Sequence, residues 1–219
     1  MSNANVPTPP PPLSPTLELC LCRPAPDLSD AEFRAALRAA DDFLSSRPGF
    51  EGRELLYSAA SSRWIDLVHW ASPGDAEAAM AAFAGVEALQ PLARQLVDVT
   101  MLQLARLPES ACSGPASVSD DAVTEIILYR LNPGVSAADY VRVLDAFGAA
   151  MSQMDGFAGR DVFRDEASGT WVEVVRYADQ AAVDRLGPIV MGLPEAAAAM
   201  ERIDASSVEL LFATPVGRP

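Results

Sequence analysis

Residues 49–71 read GFEGRELLYSAASSRWIDLVHWA, and residues 156–178 read GFAGRDVFRDEASGTWVEVVRYA. Each residue of the second stretch lies 107 positions after its counterpart in the first. Gly49, Phe50, Gly52, Arg53, Ala60, Ser61, Trp64, Val68 and Ala71 recur unchanged, and Ile65/Val172, Asp66/Glu173, Leu67/Val174 and Trp70/Tyr177 are conservative exchanges. A gapless match of this length within one chain points to a unit that occurs twice.

The repeat extends outward at the same offset. Upstream, LELCLCR (17–23) meets TEIILYR (124–130). Ser29 with Glu32 forms an S-x-x-E capping box, and Ser136 with Asp139 its S-x-x-D counterpart. After each cap the apolar residues recur at helical spacing, as Phe33, Leu37, Ala40, Leu44 and as Tyr140, Leu144, Phe147, Met151. Downstream the offset becomes 106, where VDVTMLQLA (97–105) meets IDASSVELL (203–211).

Each copy thus reads strand, helix, strand, strand, helix, strand, the order of a ferredoxin-like split βαβ unit. The expected organisation is a proline-rich tail over 1–15, repeat one over 16–107, a linker over 108–122 and repeat two over 123–214. The fold class is α+β. Such a unit leaves one sheet face uncovered by its own helices, and two copies can bury those faces against each other. Within strand three, Trp64, Asp66, Val68 and Trp70 alternate with Ile65, Leu67 and His69. The aliphatic set suits packing under helices. The aromatic and acidic set is expected to face the space between the two sheets.

By the same parity Glu18, Cys20 and Cys22 join Glu125, Ile127 and Tyr129 on that wall, with Met101, Gln103, Ser207 and Glu209 from strand four. Carboxylates crowded into a low-dielectric space must protonate or find counter-charges, and Arg53 and Arg160 are the natural partners. Two readings follow. One is an ion-pair lattice bracing two sheets; the other is a polar pocket for a small organic molecule. Trp64, Trp70, Trp171 and Tyr177 are either ordinary core or flat surfaces for a stacked aromatic ligand.

The bulk numbers exclude other classes. A net charge of −14 repels phosphate backbones, so nucleic acid is not an expected partner. No long apolar run and no signal-peptide pattern occur, so no membrane span is expected and the location reads as cytoplasmic. Cys20, Cys22, Cys112 and a single His69 make no zinc set.

The pattern PGF-x-G … W-x-D-x-V-x-W-x-S … A-x-x-A resembles the dimeric α+β barrel superfamily, and within it the antibiotic-biosynthesis-monooxygenase-like (ABM-like) domains. Arg47–Pro48–Gly49–Phe50, Trp64, Asp66, Trp70 and Ala76 carry the likeness in copy one, and Gly156–Phe157, Trp171, Glu173 and Tyr177 in copy two. The resemblance implies two ferredoxin-like repeats packed sheet to sheet as a barrel within one chain. Because that superfamily holds quinone-forming oxygenases, haem-handling enzymes and domains without known chemistry, it leaves three functions open. They are a cofactor-independent monooxygenase on an aromatic small molecule, a non-catalytic small-molecule-binding barrel, and a filled barrel serving protein association. The implied site lies in copy two, with Asn132 orienting substrate, Trp171 stacking on it and Glu173 available for proton transfer. Trp64, Asp66, Trp70, Tyr129, Tyr177 and Arg160 complete the ligand-binding set. No cofactor is expected; haem ligation would require His69 to face the other way. The expected partner is a small hydrophobic or aromatic molecule, with a homodimer through outer surfaces also open.

Overall fold

The computed structural model describes residues 16–114 and 121–216. The proline-rich stretch 1–15 lies outside them. In chain order the elements are β1 (Thr16–Pro24), α1 (Asp30–Ser45), β2 (Phe50–Ser58), β3 (Arg63–Trp70), α2 (Pro73–Phe83), α3 (Gln90–Gln95), β4 (Leu96–Arg106) and β5 (Cys112–Ser113). They continue as β6 (Val123–Tyr129), α4 (Ala137–Met151), β7 (Phe157–Arg164), β8 (Trp171–Tyr177), α5 (Gln180–Met191), α6 (Pro194–Met200) and β9 (Glu209–Pro215).

Local chemistry sets the boundaries. Ser29 caps α1 in a complete capping box with Glu32. At α4 the Ser136 hydroxyl accepts from the Asp139 amide, while the Asp139 carboxylate turns to Arg142. Gly49 and Gly156 lead into β2 and β7 with φ of +72° and +91°, a backbone state that favours glycine. Each carbonyl is then held by the chain leaving the hairpin, at 2.7 Å from the Ala71 amide and 2.9 Å from the Ala178 amide. Both strands carry a register shift at the same place, Phe50/Gly52 and Phe157/Gly159.

The strands run β4-β1-β3-β2-β9-β6-β8-β7, all pairing antiparallel, and β4 returns to pair with β7, so the sheet closes into an eight-stranded barrel. Four strands come from each half, in the same internal order. The closing seams are short. Leu56 and Tyr57 pair with Pro215 and Thr214, and Ala105 and Arg106 pair with Arg164 and Phe163.

The barrel interior reverses the facing expected from the sequence. It is filled by Leu17, Leu19, Leu21, Leu56, Ile65, Leu67, Leu104, Ile126, Leu128, Phe163, Val172, Val174, Leu211 and Ala213, a cluster drawn from all eight strands. The aromatic and acidic set points outward, under the helices. Trp64, Val68 and Trp70 pack with Phe33, Leu37, Ala40 and Leu44 of α1, and Trp171 and Tyr129 pack with Tyr140 and Leu144 of α4. The physical reason is dryness. The narrow space between eight strands has no backbone groups left to satisfy a carboxylate, whereas a helix beside the sheet offers carbonyls and polar side chains.

Two further expectations shift. Leu102 pairs with Leu19 and Leu211 with Ile126, so β4 and β9 correspond at an offset of 109 rather than 106. A 3-10 turn over Ala205–Ser207 occupies the start of the expected strand. The stretch after β4 is also more than a linker: Cys112 pairs with Arg160 and Ser113 with Gly159, adding β5 to the edge of β7.

One end of the barrel is closed by charge. Arg176 bonds Glu54 at 2.8 Å and Asp161 at 2.9 Å; Asp161 also meets Arg106, and His69 Nε2 lies 3.2 Å from Glu54. Burial would raise the Glu54 carboxyl, but the His69 bond and the Arg176 charge overcome it and hold it down at about 2.

Candidate functional site

Each half encloses a cavity between its outer sheet face and its helices. The larger, about 460 Å³, lies in the second half, walled by Phe147 and Met151 of α4, Val183 and Val190 of α5, Ala196 and Ala199 of α6, and Leu210 and Phe212 of β9. Its size suits a drug-sized molecule. The lining is apolar except at the floor, where Glu125 and Tyr129 of β6, Tyr140 of α4, and Glu173 and Tyr177 of β8 converge.

Those five groups form two linked sets. Tyr140 donates to the Tyr129 hydroxyl at 3.0 Å, and Tyr129 donates to Glu173 Oε1 at 2.6 Å. The other oxygen of Glu173 accepts from Arg160 Nε at 2.7 Å, and Arg160 Nη1 donates to the Leu144 carbonyl at 3.1 Å. Arg160 and Glu173 are 1% and 4% exposed, so this ion pair is desolvated and each partner depends on the other. In the second set Tyr177 donates to Glu125 Oε2 at 2.9 Å. Burial pushes the Glu125 carboxyl above its ordinary range, and the Tyr177 bond offsets this in part. Burial and the Glu173 charge lift the Tyr129 and Tyr140 hydroxyls, and burial with the Glu125 charge lifts Tyr177. All three are therefore protonated donors at neutral pH. Glu125 is the floor carboxylate with an oxygen to spare: among the described residues its Oε1 has no bond.

Tyr129, Glu173 and Tyr177 of the expected site thus line this cavity together. Arg160 lies behind Glu173. Trp171 is 2% exposed and sits edge-on behind Tyr140, ring centroids 5.1 Å apart, so it supports the wall rather than lining it. Asn132 is also off the cavity. Its Nδ2 donates to the Glu201 carbonyl at 3.1 Å, and its amide bonds the Arg202 carbonyl at 2.8 Å. Glu209 leaves the wall altogether and pairs with Arg63. Sequence parity missed Leu210 and Phe212, which replace Ser207 and Glu209 because of the slipped register, and it gave Tyr140 no polar role.

The first-half cavity is smaller, about 310 Å³, and holds Trp64, Asp66, Glu18, Cys20, Cys22 and Arg53. Arg53 Nε and Nη2 grip Asp66 at 2.8 and 2.7 Å, and Nη1 reaches Asp41 at 2.7 Å and the Leu37 carbonyl at 3.2 Å. Trp70 is fully buried beside Phe50 and lines neither cavity. His69 also lines neither, so a haem held through a histidine finds no ligand in either one.

No family model matches the chain, and no curated protein matches it. Solved structures do. An anthrone oxidase-like protein superposes with a TM-score of 0.68 at 14% identity, covering 93% of this chain and 92% of the other. A candidate monooxygenase of Lactobacillus acidophilus gives 0.64 at 11%, covering 92% and 94%. A mutant chlorite dismutase from Candidatus Nitrospira defluvii gives 0.65 at 10%, covering 93% and 92%. At such identities the likeness is one of fold, and with the closed eight-stranded barrel it gives this chain the dimeric α+β barrel fold.

Proposed function

We propose that this chain is a cofactor-independent monooxygenase for an aromatic small molecule, working in the second-half cavity. The observation that carries this reading is the floor of that cavity: two carboxylates and three tyrosines set under an apolar roof. The names of the neighbouring structures, an anthrone oxidase-like protein and a candidate monooxygenase, point the same way. On this reading the chain is a fused pair of ferredoxin-like ABM-type repeats, one of which has kept the chemistry.

The substrate is a hydroxylated polycyclic compound with an acidic ring CH₂. Its rings fill the apolar space, and a ring oxygen takes over the O–H that Tyr177 otherwise gives to Glu125. Glu125 takes a proton from the CH₂ group through its unbonded oxygen, and the Tyr177 hydroxyl stabilises the charge that spreads onto the ring oxygen. The carbanion gives its electrons to O₂ and forms a carbon–oxygen bond, and Glu125 returns the proton to make a hydroperoxide. Loss of water then leaves a carbonyl. The balance is AH₂ + O₂ → A=O + H₂O. Glu173, fixed by Arg160, holds Tyr129, while Trp171 braces Tyr140 from behind.

The test is oxygen uptake with an anthrone-type substrate, expected at one O₂ per quinone formed. Glu125→Gln should lower the rate by about 10²–10⁴-fold, the range of a general base. Thermal stabilisation by the same compound without oxygen uptake would overturn catalysis in favour of a binding protein.

A further inference from the structure

We propose that the first-half cavity is a second ligand site, built for a small hydrophobic organic cation such as an arylalkylammonium ion. The two cavities occupy equivalent places, yet their floors differ in the balance of donors and acceptors. Tyr129 in the second half is replaced by Cys22 in the first, and Tyr177 by Trp70. Glu125 therefore has a hydroxyl donor at 2.9 Å. Its counterpart Glu18, which lines the first-half cavity, has a carboxylate with no hydrogen bond or ion pair among the described residues. The Trp70 indole gives Glu18 nothing, since its buried Nε1 has no partner either.

The one cation in the lining is already committed. Arg53 bonds both Asp66 and Asp41, so its single positive charge faces two carboxylates before Glu18 is counted. An ionised Glu18 makes the site net negative with no donor to meet it. A bound ammonium supplies both the charge and the N–H groups. The rest of the wall suits an aryl body: Phe33, Leu37, Leu92 and Val68 are apolar, and Trp64 offers an indole for the ring or the cation. The mouth lies beside Met80, Val99 and Met101, which are 36%, 48% and 48% exposed, so the ligand has a way in. At about 310 Å³ the space takes one or two fused rings.

Burial, with the nearby Asp66 charge, pushes the Glu18 carboxyl up to about 7. A cation favours the ionised form, so binding near neutral pH should release a proton and tighten as the pH rises from 6 to 8.

Calorimetry with 1-naphthylmethylammonium and its neutral analogue 1-naphthylmethanol tests this. At pH 8 the ammonium should bind at least about tenfold more tightly than the alcohol. Glu18→Gln should abolish that preference, and Glu125→Gln should leave it intact. In the unaltered protein at pH 7, titrations in buffers of different ionisation enthalpy should show proton release on binding. The proposal falls if the alcohol binds as well as the ammonium, if the preference survives Glu18→Gln or disappears in Glu125→Gln, or if no proton is released. None of these outcomes bears on oxygen uptake, which reports the other cavity.

Discussion

Arg53 and Arg160 occupy equivalent positions and do not carry equal weight. Removing Arg160 leaves Glu173, whose side chain is 6% exposed, as an unpaired charge away from water; removing Arg53 leaves Asp66 and Asp41 at 21% and 38%, where water can reach them. Arg160→Met should therefore cost about 3–5 kcal/mol, the usual penalty for breaking a buried pair. Arg53→Met should cost clearly less, and urea unfolding of the two variants measures the difference. Glu18 makes a pH-dependent prediction. Its folded-state carboxyl titrates at about 7 against an ordinary 4.5, so the native state prefers it protonated. The associated stability is fully present below 4.5 and is lost as the pH rises through 7. Glu18→Gln should thus raise the melting temperature at pH 8 but hardly at pH 4. The pairing of these arginines with Asp66 and Glu173 was legible from the sequence, because buried carboxylates need counter-charges. Which cavity the pairs serve was not, since alternation along a strand marks two faces without naming the inner one.

Among the elements, the turns into β2 and β7 are the most constrained. A Cβ on Gly49 would lie 2.3 Å from the Asp75 carboxyl, and one on Gly156 would lie 2.8 Å from the Ala182 Cβ. Both also have positive φ, so Gly49→Ala and Gly156→Ala should each destabilise by at least about 1 kcal/mol, read from the denaturation midpoint. The helix caps and the hairpins were readable as patterns 107 residues apart, whereas the repeated aromatic pair was not, because Trp64 and Trp171 were expected to face away from the helices. Phe33 meets Trp64 edge-on at 4.9 Å, just as Tyr140 meets Trp171. Strand β9 was misregistered because three residues of turn stand where the pattern continued as strand. Strand β5 was invisible: two residues, one of them polar, carry no periodicity.

For the whole molecule, the recurring sequence pattern pointed to a barrel, since a sheet with one bare face needs cover, and the closed eight-stranded barrel supplies it. The halves share the aliphatic interior, and their direct strand pairing amounts to two residue pairs at each barrel seam and two more where β5 joins β7. Side-chain burial, rather than backbone pairing, therefore holds them together. Residues 1–114 expressed alone should accordingly not persist as a monomer, because Leu17, Leu19, Leu21, Ile65 and Leu67 would face water. Light scattering should find a dimer or aggregate, and a stable folded monomer would contradict this account.

The filled interior also bears on how such a protein can change. Each chamber borrows its walls from one half alone, while the inner packing is common property. A substitution that reshapes one chamber need not disturb the other, so the two can diverge independently. Only mutations at the shared centre would be felt by both.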